Sequence, residues 1–248
     1  MAGVSASAMN VSPMVVELTS TGARSTARIQ VLNVLKQDLP FEVRVYRIDL
    51  NDQGEVTEVP ADGDFIVFPP QGALKFNQRQ MVRVQWVGGA IDSSRGYYVA
   101  INQLPVALDQ SKVVKTKAAV DVQLVYHMKV LVTVAPPGAA PKVAIESAKP
   151  TMIAMRSAAG VPSPTGPVPG VAVTVRNSGK RYAMLAGVTW TIDGRGVDGK
   201  PLRVVVPAAK MGELLGAGYV PALTGRRTFE VPTDVPFGNG PITVKFSD

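Results

Sequence analysis

The chain has 248 residues, 46% hydrophobic and 18% charged, with a formal net charge of +7 and a pI near 9.7. That balance excludes a disordered chain, and the length is ample for two domains of ordinary size. No cysteine is present, which excludes a disulfide framework, a zinc ribbon and thiol catalysis.

The 23 glycines and 20 prolines, with frequent Val and Thr, favour strands and turns over helices. The basic residues are scattered in pairs such as Lys180-Arg181 and Arg226-Arg227. Spread charge of this kind is a solubility feature and does not point to nucleic acid. No stretch approaches the ~20 apolar residues of a membrane span, so membrane insertion is not expected. Met1 to Ala8 lacks a basic segment followed by an apolar one. It fits either a cytoplasmic protein or a mature chain with a start Met in place of its signal peptide.

Met9 to Leu18 reads as a strand, turned by Thr19-Ser20-Thr21-Gly22. Ala27, Ile29 and Val31 alternate with Arg28 and Gln30 in a second strand that ends at Asn33. Phe41 to Leu50 alternates again and stops at the turn Asn51-Asp52-Gln53-Gly54. Phe65-Ile66-Val67-Phe68 is stopped by Pro69-Pro70; strands then follow at Gln80–Trp86 and Gly96–Leu104. Short strands with regular turn signals predict an immunoglobulin-like sandwich.

The longest strand predicted is Ala118 to Val134. Its even positions, including Val120, Val122, Leu124, Met128, Val130 and Val132, carry no charge, and its odd positions include Asp121, Gln123, His127 and Lys129. Such alternation marks a strand with one buried face. The run is about three times the usual strand of roughly five or six residues. A strand that outruns its own sandwich leaves apolar surface for something else.

Proline-rich residues 135–142 form a semi-rigid linker between a domain at 1–134 and a domain at 143–248. In the second half, Ser157 to Gly170 is a low-complexity stretch expected to be a loop. Strands are predicted at Val171–Val175, Ala183–Thr191, Leu202–Val206, Thr228–Val231 and Ile242–Phe246, with one helical turn at Lys210–Leu215.

The two halves match at a constant offset of 144 (177 minus 33, 192 minus 48): Asn33 with Asn177, Lys36 with Lys180, Tyr46 with Trp190, Ile48-Asp49 with Ile192-Asp193. Matches at one domain length argue for two copies of one sandwich.

Catalytic chemistry finds no support. The single histidine, His127, permits no Ser-His-Asp set and no usual metal site, and reads as a surface residue. Gly194 to Lys200 matches most of a phosphate loop, but Pro201 stands where Ser or Thr would bind magnesium, and no helix follows. It reads as a hairpin loop. Asp49, Asp52 and Glu55 read as a solvated turn. No enzyme activity and no cofactor are expected.

Phe65 to Pro70, then Met81-Val82-Arg83-Val84, then Gly96 to Pro105 resemble, in order and spacing, the first domain of the periplasmic pilus chaperones of the chaperone–usher pathway. Val173 to Gly179 and Leu223 to Arg227 are similar to that family's second domain. The resemblance implies an all-β chain of two immunoglobulin-like β-sandwich domains in a boomerang arrangement, located in the periplasm. It also implies donor-strand complementation: the chaperone fills the open groove of a pilin subunit with its own strand, then delivers the subunit to an outer-membrane usher. In the family, a Lys near the end of that strand anchors the subunit's terminal carboxylate, and apolar residues before it enter the groove. Lys129 matches the Lys, and Val120, Val122 and Leu124 match the apolar positions. Typical members also carry an anchoring Arg on the first strand. Met14 stands at that position, and the sequence assigns none of Arg44, Arg47 and Arg83 to replace it. On the residues alone, a tandem immunoglobulin-like structural or adhesive protein that binds through its Ser157–Gly170 loop is the alternative.

Overall fold

The computed structural model describes residues 9–105, 125–154 and 166–247. Strands dominate, and they group into two compact units.

The first unit contains β1 (Met9–Ser12), β2 (Val15–Thr19), β3 (Thr26–Asn33), β4 (Leu39–Leu50), β5 (Val56–Pro60), β6 (Phe65–Phe68), β7 (Gln71–Leu74), β8 (Arg79–Trp86), β9 (Arg95–Gln103) and β10 (His127–Ala135). One sheet runs β1-β3-β8-β6; the other runs β2-β10-β9-β4-β5, with β7 beside the start of β4. The core between them takes alternate residues from each strand: Ile29 and Val31, Val82 and Val84, Val99 and Ile101, Val130, Val132 and Val134, all with no exposed surface. Phe65, Trp86 and Tyr97 close one end edge-to-face, with centroids 5.4 and 5.0 Å from Phe65.

Met9 to Leu18 is not one strand. Proline has no N–H to give to a ladder, and the chain changes sheets at Pro13. Ser12 pairs with Gln30 in the first sheet, whereas Val15 pairs in parallel with Leu131 in the second.

The second unit contains β11 (Val143–Ile153), β12 (Val168–Asn177), β13 (Ala183–Met184), β14 (Thr189–Arg195), β15 (Pro201–Val206), α1 (Ala208–Leu215), β16 (Tyr219–Val220), β17 (Gly225–Pro232) and β18 (Thr243–Ser247). Two three-stranded sheets, β11-β12-β17 and β15-β14-β18, and the small pair β13-β16 enclose a core around Trp190. Trp190 packs edge-on against Phe229 and Phe246 and donates its Nε1–H to Leu185 O at 2.8 Å. The turn Asp49–Thr57 and residues Asp92–Arg95 group with this unit. There Arg226 bonds Glu146 at 2.6 Å and also pairs with Asp52. Asp52 therefore has a structural partner and is not merely a solvated turn residue.

Three further readings are corrected in detail. Ala183 to Thr191 is broken by a short 3-10 turn at Leu185–Gly187, because Leu185 and Ala186 are buried there. Val168 to Gly170, expected in a loop, belong to β12; the rest of that loop lies outside the described residues. Lys210 to Leu215 is the end of an eight-residue helix. Gly194 to Lys200 joins β14 to β15 as a hairpin, closed by Gly196 N–H to Lys200 O at 2.9 Å.

The internal match reaches the hydrogen bonds. Asn33 ends β3 and Asn177 ends β12, and neither has exposed surface. Asn33 donates to Gln37 O and Leu74 O, and accepts from Leu35 N–H. Asn177 donates to Arg181 O and Pro221 O, and accepts from Gly179 N–H. Tyr46 and Trp190 do not share a role: Trp190 is core, while Tyr46 is half-buried.

Candidate functional site

The candidate site is the start of β10. Val120, Val122 and Leu124 lie outside the described residues, and so does the first half of the predicted long strand. From Val130 onward both faces of β10 are buried, so the one-faced alternation ends there. The even residues enter the core; on the odd face, the Thr133 hydroxyl donates to Val16 O at 3.4 Å.

β10 has two neighbours, β9 and β2, but they begin at different points. On the β9 side, Gln103 N–H donates to Tyr126 O at 2.9 Å, so pairing there reaches back past His127. On the β2 side, pairing starts only at Leu131, whose N–H donates to Met14 O at 3.0 Å and which stands opposite Val15. Main-chain groups of a strand alternate between its two edges. Lys129 and His127 therefore turn theirs to the same side as Leu131. Among the described residues no strand covers them there, and β10 presents an open edge.

Lys129 stands on this stretch. Its side chain is 42% exposed, and its Nζ lies 2.6 Å from Glu58 Oε1 on β5. The ammonium also lies 5.7 Å from the centre of the Tyr98 ring. His127 is exposed, with Nδ1 3.0 Å from Asn102 Oδ1. No cluster that could hold a metal occurs among the described residues.

Met14 does lie beside β10, 42% exposed, and it brings no charge. The other cations stand elsewhere. Arg44 is bound to Asp62 at 2.8 Å. Arg83 lies opposite Arg28 on the first sheet, where both line an open hollow with Phe68 and Met81. Sequence reasoning did not find Glu58. It lies 71 residues from Lys129, and only the sheet brings the two side chains together.

No family model and no curated protein matches the sequence. Solved structures do match. The class 5 fimbriae chaperone CfaA aligns over 97% of this chain and 92% of its own, at 13% identity and a TM-score of 0.55. A chaperone–tip adhesin complex of CFA/I fimbriae biogenesis gives the same values. The Salmonella enterica SafA pilin–SafB chaperone complex aligns over 98% of this chain and 99% of the matched chain, at 16% identity and a TM-score of 0.51. The fold is that of the two-domain fimbrial chaperones. The expected all-β architecture of two immunoglobulin-like sandwiches stands with it. Among the described residues, no helix is long and apolar enough to cross a membrane.

Proposed function

We propose that this chain is a periplasmic chaperone for pilus subunits, which binds, folds and caps them by donor-strand complementation and passes them to an outer-membrane usher. The open edge of β10 beside Lys129 carries the reading. An edge strand with unpaired main-chain groups is the natural acceptor for an incomplete sheet in another chain, because main-chain hydrogen bonds supply affinity and alternate side chains supply specificity. Fimbrial chaperones captured with a pilin and with a tip adhesin share the fold, which supports pilin-type partners.

In this reading, Val120, Val122 and Leu124 fill the subunit's groove, and Lys129 holds its terminal carboxylate. An ammonium meeting a carboxylate gains a charge-assisted hydrogen bond. No cofactor, nucleotide or catalytic step takes part. Expansion of the subunit's sheet and burial of its exposed core drive capture.

The test is co-expression with candidate pilins, followed by pull-down. The wild-type chain retains a pilin, and Leu124→Asp loses it while its far-UV spectrum and melting profile stay unchanged. Retention of the pilin by a folded Leu124→Asp chain would overturn the reading.

A further inference from the structure

Glu58 and Lys129 meet on the exposed side of the first unit's second sheet, at 2.6 Å, with side chains 28% and 42% exposed. An ammonium carries three donors, and Glu58 takes one of them. The pair is too open to water to be strong, since exposed ion pairs contribute little. It is also the same chemistry as the contact assigned to the partner: one carboxylate on one lysine. Met14 supplies no second cation to hold a carboxylate independently. The locus is thus one positive group already balanced by one negative group, on the sheet face beside Tyr98 of β9.

We propose that Glu58 occupies the carboxylate site of Lys129 in the free chain, and that the terminal carboxylate of a pilin subunit enters by displacing it. The proposal rests on the reading of Lys129 as the anchor. Exchange of one carboxylate for another at a half-exposed ammonium is nearly even in energy, so Glu58 sets a threshold for capture without blocking it. A balanced pair also exerts little field beyond its own dimensions, so Lys129 does not draw in stray anions from a distance. The carboxylate exchange then follows main-chain docking and selects against strands that pair with β10 but end in the wrong place. Glu58 is a specificity residue, acting through Lys129.

The experiment has two arms. In the free wild-type chain, a water-soluble carbodiimide condenses the Lys129 amine with the Glu58 carboxyl, and mass spectrometry finds the joined peptides. A bound pilin, obtained by the co-expression above, suppresses that cross-link. Absence of the cross-link in the free chain, or its persistence in the complex, overturns the proposal. In the second arm, Glu58→Gln binds the pilin about two- to fivefold more tightly, in line with the strength of an exposed pair. It also associates faster at low salt, and both gains vanish in a Lys129→Met background. Unchanged or weaker binding by Glu58→Gln overturns the proposal while leaving the anchor intact. Unchanged binding by Lys129→Met defeats the anchor itself, and the proposal with it.

Discussion

Asn33 and Asn177 make the same three contacts, one at the end of β3 and the other at the end of β12. Each donates to the carbonyl four residues on, accepts the N–H two residues on, and reaches a carbonyl of the chain segment that leads into the next paired strand, Leu74 or Pro221. A buried amide satisfied in this way ties a strand end to two loops at once.

Replacement of either Asn by Ala removes the donor to two carbonyls, buried at Leu74 and part-buried at Pro221, and the acceptor for a loop N–H. Each substitution costs about 2–4 kcal/mol by the usual penalty for such groups. Each affects its own unit, and the two effects add. Trp86 lies in the first unit and Trp190 in the second. Urea melts of Trp86→Phe and Trp190→Phe chains, each with one remaining emitter, assign the loss to one unit or the other.

Lys129→Met separates function from stability. Its pair with Glu58 is exposed, so stability changes by less than about 1 kcal/mol. Capture of a pilin falls at least tenfold, measured by pull-down or surface binding. A loss of capture accompanied by an equal loss of stability would mark Lys129 as structural.

Leu223 lies at φ 66°, a left-handed conformation uncommon for a side chain of this size, two residues before β17. Asn77 takes φ 63° two residues before β8, in the loop that Asn33 anchors. Asn tolerates this region far better than Leu. Leu223 is 47% exposed, so little apolar burial is lost on replacement. Leu223→Asn is expected to stabilise the second unit by about 0.5–1 kcal/mol, read from its melting midpoint.

Arg203 bonds Asp193 at 2.6 Å across β14 and β15, and this bond, helped by the charges of Arg203 and Lys245, holds the Asp193 carboxyl below the usual carboxylate range. A depressed carboxyl contributes stability above its unfolded value of about 3.9, and that contribution disappears as pH falls through the lowered folded value. Asp193→Asn should melt slightly below the wild type at neutral pH. The two curves should converge in strong acid, as scanning calorimetry across pH would record.

Much of this architecture is legible in the chain. Period-two alternation located most strands, and the offset of 144 (177 minus 33) paired two asparagines whose side chains prove to do the same work. The failures have physical causes. Met9 to Leu18 carries apolar residues along its whole length, so pattern alone hid the change of sheet at Pro13. Tyr46 and Trp190 match by type and position, but the Trp ring needs a pocket that only the second unit builds from Phe229 and Phe246. Lys129 was singled out by a family resemblance, and the structure shows its side chain bound to Glu58. Glu58 was not legible, since a contact between β5 and β10 depends on how the sheet twists, and no local pattern encodes that.

The parallel pairing of β2 with β10 also has a consequence for synthesis. Among the described residues, β2 ends its sheet and pairs there with β10 alone. Residues 15–19 thus wait for residues 131–135 before they can join any ladder. A chain emerging from a ribosome or a translocation channel holds its first sandwich unfinished until more than half its length is out.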